Sequence, residues 1–112
     1  MDVVAAYPRR GEIWIAEFDP TVGSEIRKTR PCLIVSPDAM NRGLRTVIVM
    51  PLTSGSRPAP FRIALRFAGR DGLLLADQVR TFDRQRLRKR VGAVSRGTLT
   101  AALDVLRDMF AE

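Results

Sequence analysis

The chain is a succession of short β-forming runs, closely spaced and broken by proline and glycine, with one helical pattern at its end. Strands this short and this close pair with their chain neighbours through tight connections, which points to an antiparallel arrangement. Residues 46–52, TVIVMPL, give the strongest central-strand signal, with Pro51 near the end. Residues 11–18 form a first strand, apolar on both faces through Ile13, Trp14, Ile15 and Phe18, stopped by Asp19-Pro20. Pro31 is expected to open a strand rather than sit inside one, so residues 32–36 are strand two. Residues 61–67 alternate: Phe61, Ile63, Leu65 and Phe67 face one way, Arg62, Ala64 and Arg66 the other. That is a half-exposed strand with its arginines outward. Residues 68–72 read as a turn, 73–76 as a buried strand reaching Asp77-Gln78, 79–82 as its continuation or a bend away from it, and 91–94 as a last short strand.

Two helical stretches accompany these strands. Residues 37–42 make a short turn stopped at Gly43. Near the C-terminus Leu99, Ala102, Leu103, Leu106 and Phe110 recur at three- and four-residue spacing, with Ser95 as N-cap and Asp104 and Asp108 on the opposite face. The expected fold is mainly β (α+β): a small, strongly bent antiparallel barrel with a C-terminal helix and one or two short helices. At 112 residues the chain is expected to be one domain, 1–112, with residues 1–9 a flexible N-terminus.

Nineteen Lys and Arg against twelve Asp and Glu give a formal charge of +7 and a pI near 11.2. Such a balance favours a polyanionic or acidic partner, and serves solubility equally well. The single Cys32 excludes an internal disulfide and lies within an apolar run, as a buried thiol in a reducing compartment would. No apolar run is long enough to span a membrane, and the N-terminus lacks the pattern of a signal peptide, so a cytoplasmic protein is expected.

The chain contains no histidine, no cysteine cluster and no Gly-rich phosphate loop. Imidazole-based catalysis, a zinc site of the usual kind and a Ser-His-Asp triad are thereby excluded, and no metal or cofactor is expected. Acid–base work falls to Asp, Glu, Tyr, Lys or Thr, with Arg as an electrostatic group. Residues 19–37, DPTVGSEIRKTRPCLIVSP, place Glu25 among Arg27, Lys28 and Arg30 in a turn-rich loop. Glu25 there is either a solvated ion-pair partner or a general base. Arg30 precedes a proline, so its backbone is extended and its side chain is aimed by a rigid element. That suits a phosphate clamp as well as a surface arginine. Thr53 ends the strongest strand, as a fixed hydroxyl or as turn chemistry. Asp77 is either a structural turn residue or a partly buried acid, with Arg80 within reach. Arg84, Arg86, Arg88, Lys89 and Arg90 form a solvated basic face or a track for a phosphate backbone.

Taken together, RRGEIWIAEFDPTVGSE, KTRPCLIVSPDAMN, TVIVMPLTS and DGLLLADQVRTFDRQRL resemble the MazF/PemK (Kid) family of toxin endoribonucleases, in order and spacing, over nearly the whole chain. The resemblance implies an SH3-like barrel homodimer that cleaves single-stranded RNA, often mRNA, at short motifs without a metal. It implies 2′-hydroxyl attack on the adjacent phosphate and inhibition by a cognate acidic antitoxin of the MazE/PemI kind. By position, Arg30 and Thr53 match the family's catalytic pair, Glu25 its acidic loop residue, and Asp77 the base of some members. Arg27, Lys28, Thr29, Ser36, Asn41, Ser54, Gln78 and Arg80 are the accompanying RNA-binding positions. Two departures stand out: Leu75 occupies the place where some relatives carry an arginine acid, and the first loop lacks the histidine that others use. Two further functions suit the same fold. One is a toxin that inhibits a protein target such as DNA gyrase, as CcdB does. The other is a non-catalytic RNA-binding SH3-like module.

Overall fold

Two apolar runs in the middle of the chain decide the architecture, because both of their faces are buried. The computed structural model describes residues 6–19, 23 and 28–112. In chain order these form β1 (Glu12–Glu17), β2 (Thr29–Ile34), α1 (Asp38–Gly43), β3 (Thr46–Thr53), β4 (Arg62–Phe67), β5 (Arg70–Leu75), β6 (Arg80–Asp83), β7 (Leu87–Ala93) and α2 (Arg96–Phe110). Single 3-10 turns lie at Ala76–Gln78 and Arg84–Arg86. The sheet order is β4-β5-β3-β2-β1-β7, with β6 also paired to β3, and every pairing is antiparallel. The sheet curls into an incompletely closed barrel with α2 packed against it, as the sequence leads one to expect.

Strands β2 and β3 separate two hydrophobic clusters. Leu33, Val35, Met50 and Leu52 point into one, which also takes Ile13, Ile63, Leu74 and Ala102 of α2. Cys32, Ile34, Val47 and Val49 point into the other, with Ala16, Phe18 and Phe82. Burial of alternate residues on opposite sides explains why these strands read as unbroken apolar runs. Cys32 has no exposed surface, and desolvation pushes its thiol from 9.0 up to about 12.

Strand β3 also divides its outer edge between two partners. Residues 46–49 pair with β6, and Leu52 and Thr53 with β5. Ile48 accepts from Val35 and donates to Ser36 on the β2 side, so by alternation Pro51 turns its missing N–H to the other edge. The pairing passes from β6 to β5 at that residue, where no donor is needed.

Several boundaries differ from the sequence reading. Pro31 lies inside β2, paired with Ile15. Its nitrogen faces β3, whose pairing with β2 begins only at Cys32, so no ladder bond is lost. The β4–β5 connection is just Ala68-Gly69, with φ of +53° and +76°, so Phe67 pairs directly with Arg70. Two positive φ values are those of a type I′ hairpin turn, and residues 70–72 are strand. The last strand begins at Leu87 rather than 91 and pairs with β1 through two register shifts. Its cations Arg88, Lys89 and Arg90 are exposed along a sheet edge, where charge guards against edge-to-edge pairing.

Helix α2 starts as expected: Ser95 Oγ accepts from the Thr98 N–H at 3.2 Å, a cap worth about 1 kcal/mol. Phe110, expected on the buried face, is 74% exposed, because the last turn runs past the cluster that Leu103 and Leu106 still touch. Of the N-terminal segment, residues 1–5 lie outside the described residues. Residues 6–9 are tied down: Pro8 is buried, Arg9 N donates to Glu12 Oε1 at 2.8 Å, and Ala6 O accepts from Arg84 Nη2 at 3.1 Å. Among the described residues no helix is long and apolar enough to cross a membrane.

Candidate active site

Arg30 and Thr53 come from different strands to one open pocket of about 260 Å³. Arg30 is the second residue of β2, paired with Ala16 of β1 and held extended by the proline that follows. Thr53 is the last residue of β3 and only 8% exposed. Its Oγ1 accepts from the Gly55 N–H at 3.2 Å, which leaves the hydroxyl proton to donate elsewhere. Pro31, Leu52 and Gly72 also line the pocket, with Phe67 and Arg70 from the β4–β5 hairpin and Ser54 from the strand end. A cation and a fixed hydroxyl facing one opening can hold an anion and stabilise charge that develops on it.

The loop that leads into Arg30 is closed at its stem. Phe18 N donates to Lys28 O at 2.8 Å, and Lys28 N donates to Asp19 Oδ1 at 3.0 Å. Lys28 has φ +65°, a left-handed conformation that lets the chain turn back into β2. Thr29 follows as an exposed residue paired with Glu17. Glu25 and Arg27 lie outside the described residues.

Asp77 sits elsewhere. The 3-10 turn Ala76–Gln78 places it at a separate hollow with Phe18, Pro51, Gln78, Arg80 and Thr81. Both its carboxylate oxygens accept from Arg62, Oδ1 from Nε at 3.2 Å and Oδ2 from Nη2 at 3.0 Å. The hydrogen bond to Asp77 and its charge hold the Arg62 guanidinium above its usual range against the opposing effect of burial. Arg80 covers the Phe82 ring at 4.8 Å.

Ser36 and Asn41 are brought together, but inside the protein. They are 2% and 0% exposed. Ser36 Oγ donates to Asn41 Oδ1 at 2.5 Å, Asn41 Nδ2 to Ser36 O at 3.0 Å, and Ile48 N to Ser36 Oγ at 2.9 Å. These bonds latch α1 onto β3, and the polar groups are satisfied within the fold. The sequence reading also passed over three residues near the site. In the sequence Phe67 is only one of the apolar residues of an alternating strand, Arg62 an outward charge of the same strand, and Arg70 part of a turn. Only the tight hairpin and the β4–β5 register bring them where they are. Among the described residues no three His, Cys, Asp or Glu side chains cluster as metal ligands.

A family model for the PemK-like, MazF-like toxins of type II toxin-antitoxin systems matches residues 9–110. Endoribonuclease PemK of Escherichia coli is 47% identical over 79 residues, covering 66% of this chain and 59% of PemK, less than two thirds of that relative's length. Endoribonuclease MazF9 of Mycobacterium tuberculosis is 34% identical over 110 residues, covering 88% of this chain and 92% of MazF9. The MazF crystal structure from Deinococcus radiodurans superposes with a TM-score of 0.82 at 27% identity, over 93% of this chain and 96% of that one. A MazE–MazF structure from the same organism gives 0.75 at 25% identity, over 95% and 97%. The residues that line the Arg30–Thr53 pocket and the fold that presents them thus lie within the matched span, and the chain belongs to the PemK-like, MazF-like toxins of type II toxin-antitoxin systems.

Proposed function

We propose that the chain is a metal-independent, sequence-selective endoribonuclease that cuts single-stranded RNA, mRNA included, in the cytoplasm and so arrests translation and growth. The observation that carries this reading is the convergence of Arg30 and Thr53 on one open pocket. The names of the relatives support it.

In the proposed reaction a ribose 2′-oxygen attacks the adjacent phosphorus. The P–O5′ bond breaks, leaving a 2′,3′-cyclic phosphate and a 5′-oxygen that takes a proton from solvent water to become a hydroxyl. Arg30 clamps the phosphate and stabilises the extra charge of the pentacoordinate phosphorane, a contribution on the order of 3–4 kcal/mol for a preorganised donor. Arginine stays protonated, so its role is electrostatic. Thr53 donates to a non-bridging oxygen. Glu25, five residues before Arg30 along the chain, takes the 2′-hydroxyl proton. Asp77, gripped by Arg62, orders the neighbouring wall. Lys28, Thr29, Ser54, Gln78 and Arg80 are proposed RNA contacts, and the charge of +7 favours the strand's approach. The same charge favours an acidic antitoxin, and the chain is proposed to act as a homodimer.

The test is a long RNA incubated with the purified chain in EDTA, with the ends mapped. Site-specific cleavage to cyclic phosphate ends is expected, lost in Arg30→Ala. Intact RNA at high protein concentration sinks the proposal, and RNA binding without cleavage marks a non-catalytic module instead.

A further inference from the structure

Arg86 comes from the 3-10 turn between β6 and β7, far along the chain from the first loop, yet it holds the stem of that loop. Its Nη1 donates to Glu17 O at 2.9 Å and to Asp19 O at 2.8 Å. The β1–β7 ladder ends at Ala16 and Leu87. The guanidinium therefore continues the ladder by side chain, satisfying the last carbonyl of β1 and the Asp19 carbonyl just beyond it, which β7 does not reach. It is held in place in turn. Its carbon lies 5.3 Å from the Phe82 ring centroid, and Phe82 meets Phe18 edge-on at 4.7 Å. Both rings are buried, so the arginine rests on a fixed platform.

The held segment leads straight to the pocket. Asp19, whose carbonyl Arg86 binds, accepts the Lys28 N–H on its own carboxylate, and Phe18 bonds the Lys28 carbonyl. Lys28 lies two residues before Arg30. Arg86 itself does not line the Arg30–Thr53 pocket. We propose that Arg86 is a positioning residue for RNA cleavage: it fixes the exit of β1, and through the Asp19–Lys28 clasp it sets the angle at which Arg30 enters the pocket. The inference rests on the endoribonuclease reading above. A clamp misplaced by an ångström loses transition-state contact while ground-state binding along the strand persists.

The test compares the full-length chain, Arg86→Ala, Asp19→Ala and the double variant on an oligoribonucleotide containing a mapped site, below each thermal midpoint and per folded protein. Arg86→Ala is expected to lower kcat by about 100-fold with KM within about threefold. Methylguanidinium at low millimolar concentration should restore about a tenth of the lost rate, which a general loss of stability would not allow. Because both single changes loosen one clasp, the double variant should be no slower than the slower single by more than about threefold. Should Arg86→Ala fail to fold, Asp19→Ala carries the test: a kcat loss at constant KM supports the inference, and wild-type kcat overturns it. An Arg86→Ala protein that cuts as fast as wild type, or changes only in KM, overturns the inference alone. A wild-type chain that leaves RNA intact overturns the endoribonuclease reading, and this inference with it.

Discussion

Arg62 grips Asp77 in a fork, Nε to Oδ1 at 3.2 Å and Nη2 to Oδ2 at 3.0 Å, which joins β4 to the turn after β5. The pair is partly exposed, with side chains 19% and 29% accessible. A solvent-screened pair in that setting adds little to stability. Asp77→Asn is therefore expected to stay folded and to lower kcat by less than about tenfold, against about 100-fold or more for Glu25→Gln. Single-turnover cleavage of one oligonucleotide by the two variants decides it, and a dead Asp77→Asn beside an active Glu25→Gln would exchange the two roles.

Thr53→Val keeps the shape of the strand end and removes the hydroxyl. The Gly55 N–H then loses its acceptor, at a stability cost of about 1 kcal/mol. Cleavage should fall by about 10- to 100-fold, with Thr53→Ser close to wild type. Urea midpoints and initial rates on the same preparations separate the two effects. Equal rates for Val and Ser would remove Thr53 from the mechanism.

Asn41→Ala should behave in the opposite way. It removes the acceptor of the buried Ser36 hydroxyl and the side-chain donor to the Ser36 carbonyl, leaving that hydroxyl only the bond from Ile48 N to Ser36 Oγ, at a cost of about 1–3 kcal/mol, while the Arg30–Thr53 pocket stays intact. A lower melting temperature with RNA affinity unchanged in the cold is expected. A loss of affinity in fully folded protein would show that Asn41 reaches the substrate after all.

Cys32 sets a pH limit on stability. Its thiol is raised from 9.0 to about 12 by burial, so between those values the unfolded chain sheds a proton that the folded chain keeps. This contribution is complete below about pH 9 and is lost as the pH rises towards about 12. Urea midpoints should fall over that range, and less steeply in Cys32→Ala. A thiol reagent at about pH 8 should find no reactive group until the chain unfolds. Rapid labelling of the native protein would contradict the burial.

What was legible in the sequence follows physical lines. The apolar runs of β2 and β3, the alternation of β4 and the Ser95 cap are local patterns, and they appeared where expected. Pro31 in mid-strand was not readable, because its tolerance depends on where β3 begins to pair. The Ala68-Gly69 hairpin was hidden by an alanine in a left-handed conformation that such residues rarely adopt. Strand β7 was obscured by Arg88, Lys89 and Arg90, which read as a charged face although their backbone pairs with β1. At the site, Arg30 and Thr53 stood out through strand-end positions. Arg86 did not, since its partners are backbone carbonyls nearly seventy residues away and leave no mark on the side-chain pattern.

The double burial of β2 and β3 leaves this scaffold no spare face. Nearly every side chain from Cys32 to Val35 and from Val47 to Leu52 belongs to one hydrophobic cluster or the other. A substitution on either strand is a change in packing before it is a change in recognition. Room for divergence in target choice is left to the borders of those strands: the first loop, the segment after Thr53 and the tip of the β4–β5 hairpin. A library that tests the proposed sequence selectivity belongs at those three borders, with the two central strands untouched.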